Sequence, residues 1–179
     1  GVDSGCDAML RRLGRNFTVA DISRAADVCH QQGMIFMYDL LLGGPGETKE
    51  SVKETIESMK RISPDRAGVS FGVRIAPKTR LAALVLRDGH LNKNPNLRGT
   101  VKNNDNFFYP IFYLSAGMGP DAPEYLSHLI GKDKRFFFAS PSAEERNYNY
   151  NDNTVLVNAI KAGYRGAFWD ILRRLGRTD

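Results

Sequence analysis

The stretch that most constrains the fold of this chain runs from Met34 to Thr48, with the sequence MIFMYDLLLGGPGET. It begins with apolar residues, passes through Asp39 and ends in three glycines and a proline before Thr48. Such a run followed by turn formers is typical of a strand buried on both faces of a parallel sheet. Thr48 is a natural N-cap for a helix with apolar residues at helical spacing. The stretch therefore predicts strand, glycine loop and helix in direct succession.

The loop between this strand and helix is the first place to expect a ligand. Ligands of parallel α/β folds bind at the carboxyl ends of strands, where backbone N–H groups and the positive end of a helix are presented. A Walker phosphate loop is excluded, because no Gly-Lys-Ser or Gly-Lys-Thr follows the glycines. The alternative is a turn that only caps the helix.

Further elements are predicted on either side of the central stretch. A helix from Asp7 to Leu13 is expected to close at Gly14, and a second helix starts at Thr18 with Asp21 completing a capping box. After the central helix, residues 67–75 alternate in polarity, with Gly, Ser, Gly and Arg on one face. Residues 1–80 are thus predicted to form strand, helix, strand, helix, strand, with parallel neighbours.

The second half of the chain has a different pattern. Five aromatic side chains within Phe107–Tyr113 are expected either to cover an open end of the sheet or to line a substrate cavity. The other predicted elements are a helix over Leu81–Leu86, an extended loop over Arg87–Asp105, a helix over Pro123–Ile130, a strand over Arg135–Ala139, and helices over Asp152–Ala162 and Arg165–Leu175.

Composition limits the class of protein. With 179 residues, 42% hydrophobic and 25% charged, the chain suits one globular domain with or without an appendage. No membrane span or signal peptide is apparent, so a cytoplasmic protein is expected. The charge of +5 is scattered, apart from Arg173, Arg174 and Arg177, which favours a solvated surface over nucleic-acid binding. Cys6 and Cys29 are too far apart for a CxxC pair, and no metal site is predicted.

Several strings together resemble the second half of a radical S-adenosylmethionine (SAM) barrel, especially in proteins with a cobalamin-binding domain before that barrel. The strings are Gly1–Asp7, Met9–Leu10, Phe17–Thr18, Asp39–Thr48, Gly72–Thr79, Asn147–Asn153 and Lys161–Asp170. The resemblance implies an α/β fold in which residues 1–80 form half of a TIM-like barrel with parallel strands. Residues 81–179 would form a mostly helical C-terminal extension.

The resemblance also implies a chemistry, the reductive cleavage of SAM at a [4Fe-4S] cluster to give a 5′-deoxyadenosyl radical. The cluster needs three thiolates at CxxxCxxC spacing, and this sequence has no such triad. Residues Gly1–Gly5 have the pattern of a strand end, so we expect an excised C-terminal piece that is inactive alone. Its first partner would be the missing N-terminal half, which also decides whether cobalamin and methyl transfer are involved. The small-molecule substrate stays open.

Roles in SAM binding carry over only where the strings match. Asp3 and Ser4 stand where the family commonly has Glu-Ser-Gly, so their side chains are expected near the ribose or the amino-acid part of SAM. The loop after the central strand is expected beside the adenine, with apolar atoms against the base and backbone groups against its edge. Its residues in this role are Leu41, Gly43, Gly44, Pro45 and Glu47.

Arg74 is predicted near the carboxyl end of the last strand, on the small-residue face. Its guanidinium is expected to hold the SAM carboxylate or an anionic substrate. The alternative is an ion pair with a barrel carboxylate such as Asp39.

Two other functions stay open. One is a non-catalytic binding module, and the other is an RNA-modifying radical SAM enzyme, which the positive charge favours and the helical C-terminus opposes. A half barrel also has two unpaired strand edges, near Gly1 and at Val69–Ile75. We therefore expect the chain to associate with itself or to cover an edge with its own C-terminal segment.

Overall fold

The computed structural model describes residues 1–138 and 153–176. Within these ranges the helices and strands come in the order α1 (Asp7–Arg12), α2 (Val19–Gln31), β1 (Met37–Leu42), α3 (Lys49–Ile62), β2 (Arg66–Phe71), β3 (Val73–Arg74), α4 (Arg80–Arg87), β4 (Leu97–Gly99), β5 (Ile111–Tyr113), α5 (Ala122–Ile130), β6 (Phe136–Phe138), α6 (Thr154–Lys161) and α7 (Phe168–Leu175). Residues 147–152 of the string Asn147–Asn153 lie outside the described residues, as do Ala139 and Arg177.

Two sheets organise these elements. The first is parallel, with strand order β1-β2-β6, and an isolated parallel bridge between Asp3 and Leu40 adds the start of the chain beside β1. The second is antiparallel, with order β3-β5-β4. The predicted α/β class with parallel strands is therefore confirmed. The small antiparallel sheet, including β4 inside the loop predicted over Arg87–Asp105, was not expected from the sequence.

The strand predicted over residues 67–75 is wrong in its second half. β2 ends at Phe71, and Gly72 adopts a φ of +93°. The amide of Gly72 donates to the carbonyl of Leu42 at 2.7 Å, after which the left-handed turn directs Val73 and Arg74 into the antiparallel sheet. The alternation of polarity continued through this turn, so the pattern alone did not reveal it.

The main hydrophobic core lies between one face of the parallel sheet and helices α2, α3 and α5. Both α2 and α3 begin with the predicted N-caps, Thr18 and Thr48, each in a capping box. The predicted apolar positions of α3 are all buried: Val52, Ile56, Met59 and Ile62. The central strand begins at Met37, later than predicted, since Met34 and Ile35 are exposed.

The C-terminal half shares this core. Side chains of α5 and β6, among them Leu126, Ile130 and Phe136, pack in the same cluster as β1 and α3. The division of the chain at residue 80 stays a prediction, but the core does not divide there. Strand β6 also pairs with β2, so the edge predicted at Val69–Ile75 has a neighbour from the chain's own C-terminal half.

The aromatic run does not act as one unit. Phe107 and Tyr113 are buried in a second core beside α4, whereas Phe108 and Tyr109 are 72% and 60% exposed. None of the helices in the described ranges has the length and hydropathy that crossing a membrane requires.

Ile56 offers a test of the packing that supports the loop. Its side chain is fully buried in α3, so Ile56→Ala is expected to lower the free energy of unfolding by about 2–5 kcal/mol through lost burial and a residual cavity. Glu57→Ala, on the exposed side of the same helix, should change it by about 0.5 kcal/mol or less. Urea unfolding of both variants makes the comparison, and equal losses would contradict this packing.

Candidate functional site

The carboxyl ends of β1 and β2 meet at two glycines. Gly43 and Gly72 have φ values of +94° and +93°, and a Cβ on Gly43 would lie 2.6 Å from Leu114 and 3.3 Å from the Gly72 nitrogen. Only glycine fits at Gly43, because a side chain there would require both a strained φ and a collision. The two strand ends therefore lie backbone to backbone, at the edge of the sheet where α/β sites form.

Glu47 holds the glycine loop from the inside. Its carboxylate is fully buried and accepts hydrogen bonds from the Gly43 amide at 3.1 Å and from the Ser51 hydroxyl at 2.8 Å. The Glu47 amide donates to the Gly44 carbonyl at 3.0 Å, and the Ser115 hydroxyl donates to the Glu47 carbonyl at 2.7 Å. The acid of the loop thus points into the loop itself, and the helix-capping alternative accounts for its side chain.

Burial raises the pKa of Glu47 above its ordinary value of 4.5. Hydrogen bonds from the Ser51 hydroxyl and from the Gly43 and Gly44 amides oppose this rise, as does the charge of Arg12. The opposing interactions all favour the ionised carboxylate, but they are smaller than the cost of removing it from water.

Leu41 lies on the face of the parallel sheet opposite the main core. Its neighbour across the ladder is Ser70, and Asp39 on the same face is paired with Gly68. Leu41, Asp39 and Ser70 are half-buried. The residues of β2 on this face, Gly68 and Ser70, are small, and Gly68 is buried. The expectation that β1 is buried on both faces is wrong for this face.

Asp3 and Ser4 are placed differently from each other. Asp3 has a φ of +63°, bridges to β1, and its carboxylate forms an ion pair with Arg15. Ser4 is fully buried, with its hydroxyl 2.9 Å from the Thr55 hydroxyl and accepting from the Cys6 amide at 3.1 Å. The Ser4 hydroxyl therefore faces α3, and only the Asp3 side chain is accessible to a ligand.

Arg74 is not at the end of the last parallel strand, because the chain has left that sheet at Gly72. It is exposed in β3, opposite Phe112 of β5. The ion pairs formed among the described residues do not include one between Arg74 and Asp39. A role for Arg74 in anion binding stays a prediction.

The third glycine of the loop makes room for an arginine that the sequence did not single out. Gly46 has a φ of +77°, and a Cβ there would lie 2.8 Å from the guanidinium carbon of Arg12. The Arg12 guanidinium donates to the Gly46 carbonyl. Pro45 is half-buried and lines a cavity with Arg12. Because 34 residues separate Arg12 from Gly46, no local signal could have found this contact.

The described residues do not provide the set of ligands that an iron–sulfur cluster needs. No group of three or more His, Cys, Asp or Glu side chains is arranged to hold a metal within residues 1–138 and 153–176. Cys6 is buried, and its burial together with a hydrogen bond to Glu54 raises the pKa of its thiol, which disfavours the thiolate.

The chain is similar in sequence and in fold to radical SAM enzymes, in agreement with the resemblance. It is similar to tryptophan 2-C-methyltransferase from Streptomyces laurentii, with 26% identity over 197 residues that cover 87% of this chain and 33% of the relative. The chain thus spans about a third of the length of that relative. No protein-family model matches the chain.

Solved structures agree with the sequence comparison. TsrM from Kitasatospora setae, a radical SAM methyltransferase with tryptophan and a SAM analogue bound, matches with a TM-score of 0.78 and 23% identity, over 92% of this chain and 37% of TsrM. The same enzyme with cobalamin and a [4Fe-4S] cluster matches with a TM-score of 0.71 and 24% identity, over 89% and 35%. These matches establish a shared fold.

A shorter match is to a tRNA-2-methylthio-N(6)-dimethylallyladenosine synthase from Geobacter sulfurreducens. It is 32% identical over 87 residues, which cover 48% of this chain and 19% of that protein. Similarity to RNA-modifying enzymes is therefore confined to about half of the chain.

The raised pKa of Glu47 gives a pH test of the loop. A carboxyl whose folded-state pKa is raised contributes stability that is fully present below its unfolded pKa and is lost as the pH rises through the folded value. The free energy of unfolding of the wild type relative to Glu47→Gln should therefore fall as the pH rises from below 4.5.

Glu50→Gln is the matched control for this pH test. The pKa of Glu50 is lowered by backbone and Thr48 hydrogen bonds at the start of α3, so the wild type should lose stability relative to this variant as the pH falls. Urea unfolding over a pH series measures both slopes, and a flat difference for Glu47→Gln would contradict the buried carboxyl.

Proposed function

We propose that this chain is the C-terminal part of a cobalamin-dependent radical SAM methyltransferase. The observation that carries the proposal is the match to tryptophan 2-C-methyltransferase over 87% of the chain, together with the fold shared with TsrM. In the proposal, residues 1–80 supply the second half of the SAM-binding barrel. The substrate to be methylated is left open, since tryptophan belongs to the relatives' names.

The second face of the parallel sheet suits the adenine end of SAM. Leu41 offers half-buried apolar surface at the carboxyl end of β1, and its neighbour across the ladder, Ser70, has a small side chain that is also half-buried. The Asp3 carboxylate is available for a polar contact once Arg15 releases it. When bound, SAM supplies the methyl group or the radical, and these residues bind it, orient it and exclude water.

The glycine loop contributes shape to this site. The amide of Gly43 already donates to the Glu47 carboxylate, so it is committed inside the loop. In the proposal the loop fixes the position at which β1 ends. Leu41 and the backbone at the end of the strand then contact the adenine. Glu47 is then a positioning residue without direct ligand contact.

The cluster ligands must come from residues outside these 179. The sequence has two cysteines, and the radical SAM cluster needs three thiolates at CxxxCxxC spacing. The chain's part in the reaction is accordingly the binding and positioning of SAM and substrate, and catalysis requires the residues that carry the triad.

Anaerobic reconstitution of the iron–sulfur cluster tests whether its ligands lie outside these 179 residues. With ferrous iron and sulfide, the 179-residue chain is expected to take up no stoichiometric cluster and to show no iron–sulfur absorption in the visible range. The variant Cys6→Ala with Cys29→Ala should give the same iron content, because neither thiol is a ligand. A stoichiometric four-iron signal that this double variant abolishes would contradict the proposal.

The coding sequence upstream of Gly1 tests the same point independently. A CxxxCxxC triad in frame supports the radical SAM assignment, and a cobalamin-type domain before it supports methyl transfer. A start of translation at Gly1, or an upstream region without the triad, would replace the catalytic assignment by that of a non-catalytic binding module.

Leu41 tests the proposed adenine contact. Leu41→Asn is expected to weaken binding of S-adenosylhomocysteine by about tenfold or more, because it removes apolar contact worth about 1.5–3 kcal/mol. Met37→Asn is the matched control, since Met37 is half-buried on the same face at the opposite end of β1 and should leave affinity nearly unchanged. Calorimetric titration measures both, and equal effects or absent binding would contradict this site.

An RNA-modifying radical SAM enzyme is the second candidate. The match to the Geobacter enzyme and the charge of +5 favour it. The match covers only 48% of the chain, and the described C-terminal elements, α6 and α7, are helical. Retention on heparin that persists at moderate salt would favour this candidate over the first.

A further inference from the structure

A cavity of about 690 Å³ lies beside the glycine loop, between α1, Pro45, β3 and α4. Four arginines line it: Arg11, Arg12, Arg80 and Arg87. A cavity of this size suits a small-molecule ligand. It adjoins the carboxyl ends of the parallel strands, although it lies outside the Leu41 site described above.

The positive charge of this cavity has no counterpart in its walls. None of the residues that line it is acidic. Within the described residues, the guanidinium groups of Arg11, Arg80 and Arg87 make no hydrogen bond or ion pair. Four like charges around one cavity repel one another, and an anion among them would relieve this repulsion.

Some other arginines of the chain have carboxylate partners. Ion pairs join Arg15 to Asp3, Arg24 to Asp21, Arg135 to Asp133, and Arg173 and Arg174 to Asp170. Within the described residues, Arg11, Arg80 and Arg87 form no such ion pair, and all three line this one cavity.

The local structure directs these side chains to one place. On α4, Arg80, Leu84 and Arg87 are spaced i, i+4, i+7 and share one face of the helix. Arg80 stands at the first helical position with no acid in that turn, so the helix dipole adds to its positive charge. On the other side, the Gly46 carbonyl fixes Arg12 at the cavity wall.

The cavity also has apolar side chains in its lining. Leu13, Val73, Leu81 and Leu84 line the same cavity. A ligand that satisfies both features must carry negative charge at its ends and apolar surface between them. Inorganic phosphate alone would leave these apolar side chains exposed to water.

We propose that this cavity binds a small organic anion with two negatively charged groups, carboxylates or phosphates, on an apolar body. Arg11 and Arg12 hold one group, Arg80 and Arg87 hold the other, and the leucines pack against the body. The site involves only residues of this chain, so it stands or falls independently of the radical SAM assignment.

The first measurement is a titration of the ¹⁵N-labelled chain with azelate, a flexible straight-chain dicarboxylate. Arginine Nε–Hε resonances of the four cavity residues should shift together and saturate. Nonanoate, with one carboxylate on a similar chain, and inorganic phosphate, with no apolar body, should each bind about tenfold more weakly or worse, because each loses one set of contacts.

Two double variants locate the binding. Arg80→Gln with Arg87→Gln keeps the side-chain stems and should weaken azelate binding by about tenfold or more. Arg24→Gln with Arg61→Gln removes the same net charge from exposed positions on α2 and α3 and should leave binding within about twofold. Circular dichroism establishes that both variants retain the helical content of the wild type.

The proposal is overturned if the two double variants weaken azelate equally, since net charge would then explain the binding. It is also overturned if the cavity arginines do not shift, or if phosphate binds as tightly as azelate. Selective loss in the α4 variant, with preference for the dicarboxylate, supports it.

Discussion

The buried carboxyl of Glu47 is the interaction on which the local architecture depends. Burying a carboxyl is costly, and here donors from Gly43 and Ser51 offset part of the cost. Through these contacts one side chain defines the end of β1, the shape of the loop and the start of α3. The main-chain carbonyl of Glu47 accepts a hydrogen bond from the Ser115 hydroxyl, which joins the loop to the segment that follows β5. Replacing the Glu47 side chain would leave the Gly43 amide unpaired in a buried place.

This arrangement separates two roles that the sequence string LLLGGPGET combines. The glycines and the acid fix the end of the strand, and in the proposed function the half-buried Leu41 on the second face contacts the ligand. A loop whose polar groups are satisfied internally needs no ordering when a ligand binds, so less binding energy is lost to conformational entropy. That is a physical reason for the proposed site to retain a loop whose polar groups serve the helix cap.

Features coded by neighbouring residues could be predicted from the sequence. The capping boxes at Thr18 and Thr48 and the buried positions of α3 follow from patterns within a few residues. The break at Gly72 escaped detection because polarity alternates on both sides of it, while the cause is a hydrogen bond to Leu42. The pairing of β6 with β2 and the turning of Ser4 towards Thr55 depend on contacts more than 50 residues apart.

The pattern of charge in the fold also could not be predicted from neighbouring residues alone. In the sequence, Arg173 and Arg174 form the visible basic cluster, yet in the fold both pair with Asp170 and their field is locally compensated. Arg11 of α1 and Arg80 and Arg87 of α4 form no ion pair with the described residues. They are far apart in the chain and come together only around the cavity. Scattered charge in a sequence therefore does not imply a diffuse field, because folding decides which charges meet carboxylates and which meet each other.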